Sequence, residues 1–506
     1  MAIESEAPPQ ISTGIEGLDY ILDGGLPRGE TYLVYGSPGA GKTTLSLQFA
    51  LEGARAGERV LYITLAQREI DLRLIARSHG WSLDGVDIHE PSGQRLAEQM
   101  RVRQSVLHTA YVEMGEATSD LRRVIEAARP DRVVFDSIGA IRVLAGAEEH
   151  LFKQEMTLFL QFMSEQDATA VLLDDVAQQD ADSELQTLAH GVLKLTKQSP
   201  AYGEVRRQLQ VEKMRGLNFH TGWHNFQIQT GGLAVFPRLY RADNTSHSER
   251  KTIQSHVQAI DEMLGGGLEA GTACLIVGPT GTGKSSFATL FAHSALCNGE
   301  GAAIFLFDEH PESYLVRSEE LNMNLRPFVE DGTLHLQSVD TGEITPGEFA
   351  GMLRQAVDRG ARVVIIDSLT GYYHSMREEA LLLTQMHEML FYMASRGVLG
   401  LLIVAVQGLF GGATISPLDV SYMSDSVVFL GNYEDEGTIR RAITVLKKRY
   451  GNHEKTIREL RITDHGFEIG DVLPQASGML IGSPSQSNGQ QQRTEQGEEG
   501  SGERKE

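Results

Sequence analysis

The chain has 506 residues, 41% apolar and 22% charged, which fits a folded protein of about two to four domains. Its net charge of −23 argues against a dedicated nucleic-acid binder, which would present a basic face, but leaves room for a local basic groove. No apolar run approaches bilayer-spanning length, and the two cysteines, Cys274 and Cys297, form neither a disulfide framework nor zinc spacing, so a cytoplasmic location is expected.

The N-terminus, Met1 to Gln10, is acidic and proline-bearing and has no apolar signal core. A preamble follows from Ser12 to Gly29, with Asp19, the Gly24-Gly25 turn and Gly29. An apolar strand then runs into Gly36-Ser37-Pro38-Gly39-Ala40-Gly41-Lys42-Thr43-Thr44, and a helical pattern continues from there. Strand, G-x-x-x-x-G-K-[ST], helix is the context of a phosphate-binding P-loop. The glycines let backbone N–H groups turn toward phosphate oxygens, the lysine adds a positive charge, and the hydroxyl serves Mg²⁺. Next come the strand Val60 to Thr64, ending near Ala66-Gln67, and an apolar strand ending in Asp136-Ser137. An apolar strand that ends in Asp is the Walker B form, whose carboxylate acts on Mg²⁺. A further buried strand, Ala170 to Leu173, leads to Asp174-Asp175. The alternating run Arg206 to Lys213 ends in Lys213-Met214-Arg215-Gly216, and Phe226 to Gln229 closes the copy. Arg238 to Thr252 reads as a linker.

The same order then repeats. A preamble from Ser255 to Gly271 carries Asp261 and a Gly turn. The second P-loop is Gly278-Pro279-Thr280-Gly281-Thr282-Gly283-Lys284-Ser285-Ser286. The strand Ala302 to Phe307 ends in Asp308-Glu309, and Arg362 to Asp367 ends in Asp367-Ser368. The strand Gly400 to Ala405 leads to Gln407, and Arg440 to Lys447 ends in Lys447-Lys448-Arg449-Tyr450. Glu459 to Thr463 closes the copy. Residues 1–240 and 241–482 are therefore expected to be two α/β domains. Each should have a mainly parallel sheet flanked by helices and an antiparallel C-terminal extension. The tail, 483–506, is polar and expected to be disordered.

The paired P-loops, the preambles, the Asp-Ser strand ends and the two Lys-x-Arg motifs resemble the KaiC family. This is the double-domain RecA-like ATPase group that includes the cyanobacterial clock protein. The resemblance spans most of residues 11–483. It implies two tandem RecA-like domains, a homohexamer of stacked rings, ATP and Mg²⁺ between neighbouring subunits, and regulatory protein partners. It also implies self-phosphorylation on Ser or Thr by the second domain. Thr43 with Asp136, and Ser285 with Asp367, are the expected metal residues.

Hydrolysis needs a group that orients or deprotonates water. The family places a carboxylate pair after the second strand, which here is Asp308 and Glu309, with Asp308 at the base position. The first copy has Ala66 and Gln67 there and is expected to turn ATP over slowly or not at all. On this pattern only the second P-loop has carboxylates nearby. Lys213, Arg215, Lys447 and Arg449 match groups that reach a neighbour's γ-phosphate, although Lys448 and Tyr450 depart from the usual Met and Gly. Gln407 fits a γ-phosphate sensor or a strand-end cap, as do Asp174 and Asp175. Ser421 matches the first phosphate acceptor, and Tyr422 replaces the second. Two alternatives stay open: a RecA-like DNA-handling motor, and a nucleotide-dependent scaffold with little catalysis.

Overall fold

The computed structural model describes residues 9–91, 109–145, 149–175, 183–199, 205–239, 251–340, 342–375, 382–406 and 423–473. Ser421 and Gln407 lie outside them. The chain divides into two compact units, each containing one nine-stranded sheet. The first unit is Met1–Thr245 with Val339–Arg359 and Tyr372–Tyr392, and the second holds the rest.

The first sheet contains β1 (Thr31–Gly36), β2 (Val60–Thr64), β3 (Val86–His89), β4 (Arg132–Asp136) and β5 (Thr169–Asp174). It continues with β6 (Gly191–Gln198), β7 (Arg206–Met214), β8 (His224–Gln229) and β9 (Gly232–Phe236). Their spatial order is β3-β2-β4-β5-β1-β6-β7-β8-β9, parallel as far as β6 and antiparallel beyond.

The central strands are continuous apolar runs because both faces are covered. Along β1, Tyr32 and Val34 join one core, while Leu33 and Tyr35 join another. The same alternation occurs in β2, where Tyr62 faces the first core and Leu61 and Ile63 the second. Helix α1 (Lys42–Arg55) covers one face with Leu45, Leu47, Phe49 and Leu51. Helix α2 (Glu149–Ser164) covers the other with Phe152, Met156, Phe159 and Met163.

The second sheet contains β10 (Ala273–Gly278), β11 (Gly301–Leu306), β12 (Leu334–Ser338), β13 (Ala361–Asp367) and β14 (Leu399–Ala405). Its antiparallel end is β15 (Ser426–Asp435), β16 (Thr438–Lys448), β17 (Arg458–Thr463) and β18 (Gly466–Val472). The spatial order β12-β11-β13-β14-β10-β15-β16-β17-β18 reproduces the first sheet strand for strand. The expected α/β class, with a parallel sheet and an antiparallel extension in each half, is what the structure has. Helix α3 (Lys284–Cys297) is the counterpart of α1, and its Phe287 and Phe291 are fully buried.

The preambles anchor the chain ahead of each P-loop. Asp19 accepts from the Ser12 hydroxyl at 2.7 Å, the Thr13 amide at 2.8 Å and the Thr13 hydroxyl at 2.6 Å. Asp261 does the same for the Ser255 amide and hydroxyl, at 2.8 and 2.9 Å. These aspartates are repeated because each ties down a turn, and their carboxylates are spent on it.

Candidate nucleotide sites at the two P-loops

Each P-loop leaves the C-terminal end of the central strand, β1 or β10, and opens a helix there. Parallel sheets bind ligands in this place, outside the strand ends where chain connections diverge. The residues before the helices, Gly41 and Gly283, have φ of 113° and 95°. A side chain at Gly283 would also stand 2.3 Å from Ile462 Cδ1. At the loop entries, a Cβ on Gly36 or Gly278 would approach a carbonyl oxygen, Leu195 at 2.1 Å or Leu430 at 1.9 Å. Glycine is thus required both by the turn and by the neighbouring strand.

In the first site, Thr43 Oγ1 donates to Asp136 Oδ2 at 3.0 Å. The Tyr62 hydroxyl donates to the same oxygen at 2.8 Å and lies 3.1 Å from Ser46 Oγ. Burial pushes the Asp136 carboxyl up, and the hydrogen bonds from Tyr62 and Thr43 pull it back down. Lys42 Nζ donates to the carbonyls of Gly36 at 2.7 Å and Ser37 at 3.0 Å, and pairs with Asp175 Oδ1 at 2.7 Å. The expectation that only the second P-loop has a carboxylate nearby is corrected here: Asp175 reaches the first lysine across the sheet. Its neighbour Asp174 is buried against Arg142 at 3.0 Å, which separates two residues that the sequence left equivalent.

In the second site, Lys284 Nζ donates to the Pro279 carbonyl at 2.7 Å, and Thr282 Oγ1 donates to the same oxygen at 2.9 Å. Burial pushes the Lys284 ammonium down to about 8, with Asp367 opposing the shift. Burial also raises the Asp367 carboxyl, against a hydrogen bond from Ser285. Asp367 Oδ2 is buried without a hydrogen-bond partner. A hydroxyl beside a buried carboxylate is a hard-oxygen donor set that suits Mg²⁺, and the unpartnered Asp367 oxygen fits that use. The two loops fit phosphate.

The carboxylates after β11 have partners that the sequence did not identify. Asp308 Oδ2 accepts from Ser368 Oγ at 2.7 Å. Arg317, in helix α4 (Pro311–Glu320), donates from Nη1 to both oxygens of Glu309, at 2.7 and 2.8 Å. Arg317 lies 4.9 Å from the centre of the Tyr314 ring, and the Tyr314 hydroxyl is 2.6 Å from Thr289 Oγ1. Asp308 and Ser368 belong to adjacent strand ends, so the pair is a consequence of β11 lying beside β13. In the first site, Gln67 Oε1 is buried without a hydrogen-bond partner.

The Lys-x-Arg motifs end β7 and β16. Lys213 Nζ donates to the carbonyls of Gln186, Thr187 and Ala189 at 2.7–2.8 Å, and Arg215 donates to Thr187 O. Burial and the Arg215 charge push the Lys213 ammonium down. Lys447 donates to Ser424 O at 2.7 Å, and Arg449 pairs with Asp425 at 3.1 Å. Lys448, read in the sequence as a departure from Met, is buried. It bonds the carbonyls of Leu264 and Gly267 and pairs with Glu269 at 2.9 Å. Met214 holds the matching register position in the first sheet.

The fold and the two loops define a tandem P-loop ATPase of the RecA-like type. The sequence model of the KaiC ATPase family matches residues 11–240 and 253–473, and the chain belongs to that family. A circadian clock protein KaiC3 from Synechocystis is 25% identical over 95% of both chains. Circadian clock oscillator proteins KaiC from Synechococcus elongatus and Acaryochloris marina are 26% and 27% identical. The alignments cover 95% and 94% of this chain and 93% and 91% of those proteins.

Proposed function

We propose that this chain is a ring-forming ATPase that binds Mg-ATP at both P-loops, at subunit boundaries, and hydrolyses it mainly in the second domain. The domains run over 1–240 and 241–482. The protein acts as a signalling or timing switch in the cytoplasm, phosphorylates itself on Ser421, and works with protein partners. One observation carries the unequal chemistry. Asp308 and Glu309 follow β11 beside Asp367's strand, where the first copy has Ala66 and Gln67.

The roles follow from the groups. The P-loop amides and Lys284 bind the phosphates, while Ser285 and Asp367 hold Mg²⁺. The metal, when bound, neutralises charge on the phosphate oxygens. Asp308 accepts a proton from the attacking water or hydroxyl, and Ser368 sets its orientation. Glu309 is neutralised by Arg317, which leaves Asp308 as the base. Lys213 and Arg215, with Lys447 and Arg449, reach the γ-phosphate of the neighbouring subunit, and Gln407 senses it. For those basic groups this requires release of the carbonyls and the carboxylate they now hold.

A scaffold role is favoured for the first domain alone, because a glutamine orients water but is a poor base. Native mass spectrometry with Mg-ATP, followed by peptide mapping, tests the proposal. The expected result is a hexamer carrying about two nucleotides per chain and phosphate on the peptide 416–426. A monomer that turns ATP over would remove the ring. A peptide that stays unmodified while ATP is consumed would remove the autokinase.

A further inference from the structure

Lys42 has no spare donor. An ammonium offers three protons, and here they face Gly36 O at 2.7 Å, Ser37 O at 3.0 Å and Asp175 Oδ1 at 2.7 Å. Among the described residues, Lys284 has no carboxylate within ion-pair reach, and it donates to the Pro279 carbonyl at 2.7 Å. The two lysines therefore meet an incoming anion differently.

Asp175 is built to hold this position and able to leave it. Its backbone follows β5 directly, and β5 pairs with β1 from Thr31↔Ala170 to Tyr35↔Asp174. Asp174 is 4% exposed and fixed by Arg142, whose guanidinium stacks 4.8 Å from the Phe152 ring centre. That anchor places the next residue over the P-loop. The Asp175 side chain itself is 48% exposed, whereas that of Lys42 is 7% exposed. One partner borders solvent and the other is enclosed in the loop.

We propose that Asp175 competes with the outer phosphates of a nucleoside triphosphate for Lys42, and so determines the affinity of the first site. This rests on the proposal that the first P-loop binds nucleotide. A phosphate entering the loop accepts the Lys42 hydrogen bond that Asp175 now accepts, and the carboxylate turns into solvent. The exchange trades one charge-assisted hydrogen bond for another, so the gain on binding is reduced. The displaced carboxylate stays close to the phosphates and to Asp136, whose carboxyl it already raises by its charge. The first site therefore fills at higher ATP concentration than its loop alone would require.

The test uses the full chain carrying Lys284→Ala, titrated calorimetrically with Mg²⁺ and a non-hydrolysable ATP analogue. Adding Asp175→Asn should lower the Kd about tenfold, and Asp175→Ala should act in the same direction. Asp175→Glu keeps the charge and should keep the parent Kd. Binding by Asp175→Asn and Asp175→Ala that is unchanged or weaker overturns the proposal. Lys42→Ala in the same background separates the two failures. If it leaves binding intact, the first loop holds no nucleotide and the functional proposal fails. If it abolishes binding while Asp175→Asn changes nothing, only the competition is wrong.

Discussion

Lys42 and Lys284 stand at the same point of two sheets with the same strand order, on loops with the same glycine pattern. Their surroundings differ. Lys42 faces a carboxylate from the end of β5, while Lys284 has no such partner among the described residues and burial pushes its ammonium down to about 8. In the second domain, Asp308 and Glu309 instead follow β11, which lies beside β13 and is separated from β10 by two strands. A P-loop motif therefore specifies where phosphate sits. On the two proposals above, residues far along the chain set how tightly it is held and whether it reacts.

The strongest way to break this contrast is to remove one lysine at a time. Lys284→Ala should lower steady-state phosphate release about a thousandfold, while Lys42→Ala leaves at least half of it. The reverse result would assign the chemistry to the first domain. Next, Asp308→Asn should reduce kcat about a hundredfold and Glu309→Gln about tenfold, measured in single turnovers. Equal losses would mean that the carboxylates work as a pair.

A third test concerns Lys448, where the first sheet has Met214. Lys448→Met leaves Glu269, whose Oε2 already has no hydrogen-bond partner, as an uncompensated buried carboxylate. The expected cost is about 3 kcal/mol in chemical denaturation, with at least half recovered by adding Glu269→Gln. No loss would show that the two sheets tolerate each other's residues here.

The smallest effect sharpens the contrast through pH. Lys284 has a value near 8 in the free site, and a bound phosphate raises it. Below that pH the lysine is charged with or without ligand, so affinity stays level. Above it, binding must take up a proton, and affinity falls by up to about tenfold per pH unit. Fluorescent-nucleotide titration of the Lys42→Ala chain should show this decline. A flat profile above pH 8 would place Lys284 in a wetter site than described.

Much of this was legible in sequence. Contiguous signals carried the P-loops, the Asp136 and Asp367 strand ends and the duplication, because each needs only a strand, a turn and a helix in order. What stayed hidden depends on adjacency across the sheet. The pairing of Lys42 with Asp175 requires β5 to lie beside β1, and that of Asp308 with Ser368 requires β13 to lie beside β11. Arg317 was one arginine among many until helix α4 turned it back onto Glu309. Lys448 looked like a loss of a Met, because its partner Glu269 lies far upstream in the preamble.

That buried pair bears on how a duplicated chain reaches its native state. Two sheets with identical strand order, joined in one polypeptide, invite exchange of equivalent strands during folding, a characteristic failure of tandem repeats. The end of β16 carries a lysine that needs the acceptors of its own preamble. Set into the first sheet, it would meet Pro27 where Glu269 stands in the second. Lys448 thus acts as an address label: its charge is matched in its own sheet and would be unmatched in the other.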